Sequence, residues 1–368
     1  MLSVAAIVVS AAAAAACSGD ADCSYNGACA SGACACEAAW SGPACGTLNL
    51  LPAAKEGGLR QLGAKQNVTT WGGAVQLGDD GKYHMWASEM LNHCALDSWA
   101  DNSQVVHAVS DTPAGVYTRL SVAVENEAHE PNVVRGPAGE YVMFLCAEMG
   151  GGGDNCNATR SGQLGGANFE TFMSVAQKPE GPWSNQQSVI SLDGWHNRDA
   201  NLAAVILEDG SLVGLFRASP ADGSSRIHLA TATKYTDPTT WTLHEEDLFA
   251  PLDGGEPFTA EDPFVYRDAR GRFHAIFHQF AGCVDPGAGI PACGSHAFSA
   301  DGKAWTYGGL AFNRTVAFTD GSSYSFNRRE RPHIVFGKDG TTPLALSSGV
   351  TYDAAGHAYT LVQPIATE

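Results

Sequence analysis

Charged side chains are scarce in this chain of 368 residues, and basic ones are the scarcest. Lys, Arg, Asp and Glu make up 16% of the residues, with 21 Lys and Arg against 39 Asp and Glu. The formal charge of −18 repels phosphate backbones and anionic lipid surfaces, which argues against nucleic acid as a partner. After residue 16 no apolar run is long enough to cross a membrane, so we expect no membrane insertion. Neutral ligands such as sugars fit this charge balance.

Long amphipathic helical patterns are also lacking between Asn49 and Glu368. Turn-forming residues, in contrast, are abundant, with 42 Gly and 17 Pro, and they separate short runs rich in aliphatic and aromatic side chains. The pattern excludes an α/β fold and predicts an all-β protein.

The first sixteen residues, MLSVAAIVVSAAAAAA, are apolar and end in small side chains. Such a run predicts a signal peptide at 1–16, and therefore a secreted or extracellular protein in an oxidising compartment. The eleven cysteines agree with that location. Three N-glycosylation sequons predict a glycoprotein, and they begin at Asn67, Asn157 and Asn313.

Five of the cysteines lie beyond residue 45. Cys283 and Cys293 flank a loop rich in Pro and Gly whose ends can meet, so we expect them to pair. Cys94 is expected to join Cys146 or Cys156, which leaves one odd thiol. A buried structural cysteine explains that thiol better than a nucleophile does.

One short phrase recurs five times along the chain. It consists of a marked position at the entry of an apolar strand, a turn glycine nine residues later, and a second strand. The turn glycines are Gly81, Gly139, Gly210, Gly271 and Gly340. The marked positions are Gly72, Glu130, Asn201, Asp262 and Arg331, in phrases that start near 71, 129, 200, 261 and 330. Repeats of roughly 60 to 70 residues are too long for a helical solenoid and predict a five-bladed β-propeller with loop insertions over 47–368.

The first strand of each propeller blade lines the central axis, so the five marked side chains are expected to converge at one end of a funnel. The stretch 48–67 is long enough to give an outer strand to the last blade and so close the ring.

The first 45 residues hold six cysteines, and spacing alone leaves 15 pairings open. With Asn26-Gly27 before Cys29, and Trp40-Ser41-Gly42 before Cys45, the segment 17–46 resembles an EGF-like module. The resemblance implies the pairs Cys17–Cys29, Cys23–Cys34 and Cys36–Cys45. A metal cluster is the alternative that we disfavour. We expect no calcium here, because no acidic pair precedes the first cysteine, and contact with a cell surface or matrix is a role that such a module allows.

The strand entries resemble those of five-bladed glycoside hydrolases of family 43 and its relatives in families 32, 62 and 117. The best matches are Ala260-Glu-Asp-Pro-Phe-Val-Tyr266 and Gly294-Ser-His-Ala-Phe-Ser299, within a resemblance over about 67–362. Family 43 implies a base Asp on blade one, a pKa-tuning Asp on blade two and an acid Glu on blade three. This chain departs from that pattern, with Gly72, Glu130 and Asn201 at those positions.

Glycosidic cleavage needs an acid and a second carboxylate, and the carboxylates at the strand entries can supply both. Glu130 and Asp262 stand two blades apart in a ring of five, which places them across the funnel and favours inversion. We expect Asp262 as base and Glu130 as acid, with the reverse assignment open. Glu261 or Asp199 would raise the pKa of a neighbour through like charge. Each carboxylate can alternatively serve only to cap its strand-entry turn.

Eight side chains near the strand entries, or on the strands behind them, are candidates for substrate binding: Trp71, His129, Asn201, Arg217, His278, His296, Arg331 and His333. Several have plainer explanations. Trp71 can belong to the core, Arg331 can neutralise Glu330 and Asp262, and the histidines can be structural. We expect no cofactor, with a structural cation in the funnel or a histidine-bound metal as alternatives.

Two functions fit this pattern. The first is a secreted glycoside hydrolase of oligosaccharide or polysaccharide, which the carboxylates of blades two and four favour. The second is a non-catalytic carbohydrate-binding or adhesion propeller, which the missing carboxylate at Gly72 favours. Carbohydrate is the expected partner in both.

Overall fold

The computed structural model describes residues 16–59, 68–99, 102–125, 128–148, 156, 169–192, 200–219, 223–251, 258–280, 293–352 and 356–368. The predicted signal peptide therefore lies almost wholly outside the described residues. So do Asp199, Cys283 and the sequon residues Asn67 and Asn157. In the described part of the chain, no helix has the length and apolar character needed to span a membrane.

The chain begins with a small cystine-rich module that contains two hairpins. Strands β1 (Gly27–Ala30) and β2 (Ala33–Cys36) form one, and β3 (Trp40–Ser41) and β4 (Thr47–Leu48) form the other. A short 3-10 helix, Asp20–Cys23, precedes them. Three disulfides join Cys17 to Cys29, Cys23 to Cys34 and Cys36 to Cys45, which confirms the pairing that the resemblance implied.

In the described residues, four antiparallel sheets of four strands each and a fifth of three strands follow, and they form a five-bladed propeller. Blades one and two contain β5 (Thr70–Leu77), β6 (Tyr83–Met90), β7 (Ser103–Ser110), β8 (Thr118–Val124), β9 (Ala128–Arg135), β10 (Tyr141–Glu148), β11 (Phe169–Ala176) and β12 (Gln187–Ile190). Blades three and four contain β13 (Ala203–Ile206), β14 (Leu212–Ala218), β15 (Arg226–Ala232), β16 (Trp241–Leu243), β17 (Ala260–Arg267), β18 (Phe273–Gln279), β19 (Cys293–Ser299) and β20 (Trp305–Phe312).

Blade five consists of β23 (Arg329–Phe336), β24 (Pro343–Thr351) and β25 (Ala358–Pro364), after a small hairpin of β21 (Thr315–Ala317) and β22 (Ser323–Ser325). Its outer edge is covered by the segment that precedes blade one, because Leu50 pairs with Ile365 and Leu59 pairs with Thr360. The contact agrees with the closure that the sequence predicted, although the described residues of the segment pair with the last blade through isolated bridges rather than as a continuous fourth strand. Further 3-10 helices are Leu91–His93, Leu96–Ser98 and Pro238–Thr240.

The hydrophobic core lies between neighbouring blades. Side chains from the second strands meet there in separate clusters, which bury the apolar faces that the sequence pattern predicted. Each cluster joins buried residues of successive blades, for example Trp86 and Tyr141, Phe144 and Phe216, Leu215 and Phe277, Ile276 and Leu346, and Ala345 and Met85.

The cystine-rich module shares one of these clusters with blades four and five. The Trp40 ring is 4% exposed and lies 4.8 Å from the ring of His296, centroid to centroid. The hydroxyl of Thr47 donates to the carbonyl of Leu310 at 2.8 Å. The module is therefore packed as part of the propeller rather than suspended from it.

A fourth disulfide ties Cys94 to Cys156, one of the two partners that the sequence left open. Cys146, the other candidate, is buried on β10. The predicted bond between Cys283 and Cys293 lies outside the described residues.

Candidate active site

The five marked positions share an unusual backbone conformation. All have a positive φ: Gly72 (65°), Glu130 (58°), Asn201 (41°), Asp262 (54°) and Arg331 (55°). In four of the blades the pairing register also shifts at this point, which is a β-bulge at the entry of the innermost strand. A bulge with a left-handed residue turns that side chain away from the usual alternation between the two faces of the sheet. Four of the five residues are not glycine, so contacts with their surroundings must hold this strained backbone conformation.

The four marked side chains form a closed ring of contacts. The amide of Asn201 donates to the carboxylate of Glu130, and its oxygen accepts from the Asp262 N–H at 3.4 Å. The Nη1 atom of Arg331 lies 3.0 Å from Asp262 Oδ1 and 3.3 Å from Glu130 Oε1. The Arg331 N–H also donates to Asp262 Oδ2 at 3.1 Å. The repeat thus does bring its marked residues together, as the sequence predicted.

Gly72 occupies the fifth position of this ring. A Cβ atom at Gly72 would lie 3.1 Å from the Cβ and 3.4 Å from the Nε of Arg331. The stem of Arg331 therefore fills the place where blade one would otherwise present a side chain.

A second group of charges adjoins the ring. Glu261 Oε2 lies 3.3 Å from Arg217 Nη1, and its Oε1 lies 3.3 Å from His278 Nδ1. Glu330 accepts two hydrogen bonds from Arg328, at 2.8 and 2.6 Å. Arg328 therefore neutralises Glu330, and Arg331 neutralises Asp262, as the sequence allowed for that second carboxylate.

Burial raises the pKa of Asp262 to about 6. The carboxylates of Glu261 and Glu330 act in the same direction, whereas Arg331 opposes the shift. The Asp262 carboxyl therefore exchanges its proton close to neutral pH, which is the range that acid–base catalysis needs.

Glu261 behaves in the opposite way. Burial alone would raise its pKa, but the charge of Arg217 and the hydrogen bond and charge of His278 lower it to about 2. Burial would lower the pKa of His278, but the charge of Glu330, the hydrogen bond and charge of Glu261 and the charge of Asp262 raise it. Two adjacent carboxyls in the chain thus have pKa values on opposite sides of the ordinary range.

Four side chains in this region could supply ligands to a cation. Glu261, Asp262, His278 and Glu330 each offer a donor atom within 4.8 Å of the others. Three guanidinium groups already lie against the carboxylates of this set. A cation would have to compete with them for the same oxygens.

Two further predicted binding residues lie beside the ring. His129 Nε2 is 4.0 Å from Glu130 Oε1, and its ring stacks on Trp99 at 4.9 Å. Trp71 is 3% exposed and packs in the core with Met90, while Arg328 covers its ring at 5.2 Å. Packing therefore accounts for most of the surface of Trp71.

The two remaining histidines do not reach the ring's polar groups. His333 lies against the ring of Phe264 at 4.0 Å, and burial lowers its pKa to about 3, so it is neutral. His296 is buried between blade four and Trp40 of the module, and the structure does not bring it to the funnel. Asp199, the last predicted residue, lies outside the described residues.

The sequence missed Arg328 and Trp99 as site residues. Arg328 stands three residues before the marked Arg331, and its side chain is 41% exposed and also lies 3.6 Å from Asp97. Trp99 belongs to the loop after β6. Neither position is part of the repeated phrase, so alignment of the five phrases gave no signal for them.

Comparison with solved structures identifies the fold. No protein-family model matches the sequence, and no curated protein matches it. A thermostable family-43 glycoside hydrolase superposes with a TM-score of 0.55 at 11% identity, over 86% of this chain and 92% of the other. A family 117 glycoside hydrolase from Zobellia galactanivorans gives a TM-score of 0.55 at 12% identity, over 87% and 90%.

An endo-arabinase from Bacteroides thetaiotaomicron VPI-5482 gives a TM-score of 0.51 at 13% identity, over 82% of this chain and 95% of the other. Identities this low show the fold alone. They confirm the five-bladed propeller that the repeat predicted.

Proposed function

We propose that this protein is a secreted glycoside hydrolase that cleaves O-glycosidic bonds in oligosaccharide or polysaccharide at the funnel mouth. The observation that carries the proposal is the buried pair of Glu130 and Asp262, which face each other across Arg331 with the Asp262 pKa raised to about 6. Glycoside hydrolases use two such carboxyls, one of them protonated. The similar structures with glycosidase names, and the four disulfides in the described residues, support the chemistry and the location.

Asp262 is the proposed acid, because its raised pKa keeps a proton available for the leaving oxygen. Glu130 is the proposed second carboxylate, because the Asn201 amide donates a hydrogen bond to it and the positive charge of Arg331 lies beside it. This assignment is the reverse of the one preferred from sequence. Glu261 contributes its negative charge to the raised pKa of Asp262, as the sequence suggested for this residue.

The stereochemical outcome stays a prediction. Because both carboxylates contact Arg331 Nη1, at 3.0 and 3.3 Å, their nearest oxygens lie at most about 6.3 Å apart. That limit is shorter than the spacing of about 6.5 to 9.5 Å for inversion and is compatible with about 5 to 5.5 Å for retention. The spacing therefore favours retention over the inversion expected from the sequence, and the anomer first released from a defined glycoside distinguishes the two outcomes.

We propose that the reaction needs neither a metal nor an organic cofactor. The guanidinium groups of Arg217, Arg328 and Arg331 already balance carboxylate charge in this region. Exhaustive dialysis against a chelator is therefore expected to leave sugar release unchanged, and loss of release that a divalent cation restores would contradict this part of the proposal.

The decisive experiment measures reducing ends and aryl-glycoside cleavage on arabinan, xylan and agar oligosaccharides. Glu130→Gln and Asp262→Asn are each expected to lower kcat by about 100-fold or more, the usual contribution of a general acid or base. Asp209→Asn, a change of an exposed turn carboxylate, serves as the matched control. Activity of the unmodified chain is expected to fall above about pH 6 as Asp262 loses its proton.

A non-catalytic carbohydrate-binding propeller is the second candidate, and one observation favours it. Arg331 bridges the two carboxylates and fills the empty blade-one position, which gives a stable ring without a substrate. If the unmodified chain binds these glycans but releases no sugar, and both variants bind equally well, the hydrolase proposal is wrong and this candidate replaces it.

A further inference from the structure

A cavity lies at the outer strands of the propeller, between blades three and four. Its volume is about 700 Å³, and it shares no lining residue with the funnel ring. One wall presents the indole of Trp305 and the charge of Lys303, and the other presents Thr231, His244, Glu246 and Asp247. Small-molecule sites commonly measure about 300 to 1,000 Å³ and combine apolar surface with a few polar groups, which is the composition found here.

The indole wall is held rigidly by the turn before β20. Asp301 accepts the N–H groups of Lys303 at 2.8 Å and Ala304 at 3.0 Å, and Trp305 Nε1 donates to the carbonyl of Gly302 at 3.0 Å. Trp305 is only partly buried, and it packs against the cluster that also contacts Leu248. The ring therefore has a fixed orientation without being covered.

The polar wall is equally well anchored. The backbone continues beyond β16 along β15, because the N–H of His244 donates to Leu229 and the N–H of Leu248 donates to Ile227, both at 2.9 Å. The residues between them bulge outward. Asp247 in that bulge accepts from Arg226 Nη1 at 2.5 Å.

A side-chain contact completes this wall, since His244 Nε2 lies 3.1 Å from the hydroxyl of Thr231. Both walls of the groove are thus organised before any ligand arrives, which lowers the entropic cost of binding.

We propose that this groove is a binding site for a neutral saccharide. A sugar ring offers an apolar C–H face, which suits a fixed indole, and a rim of hydroxyls, which suits carboxylate, imidazole and threonine partners. The negative charges of Glu246 and Asp247 are offset by Lys303 in the same lining and by Arg226, which pairs with Asp247, so these groups give the groove no excess charge that would select an ionic ligand over a neutral sugar. The inference rests on the proposed function for its choice of polymer. It assigns the groove the role of binding the polymer at a second place, distant from the funnel.

The groove is tested in the full chain with Glu130→Gln and Asp262→Asn, so that soluble arabinan or xylan is not degraded. Retardation in polysaccharide-containing native gels gives the affinity. Trp305→Ala is expected to weaken it by about tenfold, within the range for loss of a stacked aromatic. Trp305→Tyr is expected to retain most of it, and Trp241→Ala, on the neighbouring β16 but outside the groove, is the matched control.

A second measurement uses the unmodified chain. Oligosaccharide from the same polymer is expected to protect Trp305 from N-bromosuccinimide oxidation, measured by peptide mass spectrometry, more than it protects Trp241. Equal protection of the two, unchanged retardation of Trp305→Ala, or protection by oligolysine alone overturns the proposal. Groove binding in a chain that releases no sugar would support this site while removing the proposed hydrolase activity.

Discussion

Both ends of the innermost strands contain a residue with positive φ, but the two ends use different residue types for it. At the turn end, the chain reverses through Gly81, Gly139, Gly210, Gly271 and Gly340, whose φ values lie between 72° and 84°. At the entry end, the chain takes similar φ values with Glu, Asn, Asp and Arg in four blades of five. Glycine adopts this conformation without steric cost, whereas the other residues are strained by it. Along the innermost strands, the strained conformation thus coincides with the place where large polar side chains meet.

The carboxylates differ in the same way between the two ends. Asp268, at the turn of blade four, accepts the backbone N–H groups of Arg270 at 2.9 Å and Arg272 at 2.7 Å. Asp262, at the entry of the same strand, is buried among other carboxylates. Turn carboxylates thus organise the backbone, whereas the entry carboxylate is held in a costly environment, which is a mark of a functional site.

The largest effect is expected when the charge balance at the entry end is broken. Arg331→Ala leaves Glu130 and Asp262 buried without the guanidinium that bridges them, and should lower the free energy of unfolding by about 3 to 5 kcal/mol. Arg135→Ala is the matched change at the turn end, where the partner Asp79 is 95% exposed. It should cost about 1 kcal/mol or less.

Urea unfolding of the two variants, followed by fluorescence and compared at equal m-values, measures both costs. If Arg331→Ala and Arg135→Ala lower the free energy of unfolding by equal amounts, the two strand ends do not differ in energy as proposed.

The pH dependence of stability should have opposite signs at the two ends. The folded pKa of Asp262 is raised to about 6, so its stabilising contribution is present below about pH 4 and is lost as the pH rises through 6. This change amounts to about 2 to 3 kcal/mol. Burial would also raise the pKa of Asp268, but hydrogen bonds from His274 and the Arg272 N–H lower it to about 2. Its contribution is present above about pH 4 and is lost as the pH falls through 2.

Thermal melts of Asp262→Asn and Asp268→Asn against the unmodified chain check this difference. The Tm of the unmodified chain minus that of Asp262→Asn should fall from pH 4 to pH 6.5. The Tm of the unmodified chain minus that of Asp268→Asn should rise from pH 2 to pH 4. Slopes of the same sign would show that the two carboxyls share one environment.

The sequence predicted the turn end completely and the entry end in part. The turn glycines align the five phrases with one another. That alignment predicts the five blades and the convergence of Glu130, Asn201, Asp262 and Arg331. The bulge could not be predicted, because the positive φ of a non-glycine residue depends on contacts with other blades. Gly72 was interpreted as a missing base, and only three-dimensional structure shows that the Arg331 stem fills its place.

Loop and module contacts account for the remaining misses. Trp99 comes from a loop, so repeat alignment could not bring it to His129. His296 matched the family pattern at blade four, yet it faces Trp40, a residue far away in the chain and in a different module. Contacts between distant segments leave no local pattern, and this is why the propeller was easier to predict than the exact site.

The smallest expected effect compares the two glycines of blade one. Gly81→Ala, with φ 78° and no atom within 4 Å of the new Cβ, should cost about 1 kcal/mol from the backbone alone. Gly72→Ala bears the same backbone cost at φ 65°, and in addition its Cβ would lie 3.1 Å from that of Arg331, so we expect about 2 kcal/mol. A double-mutant cycle isolates the extra cost: in an Arg331→Ala chain, Gly72→Ala should fall to the cost of Gly81→Ala. If Gly72→Ala costs the same with and without the Arg331 stem, that stem does not fill the blade-one position.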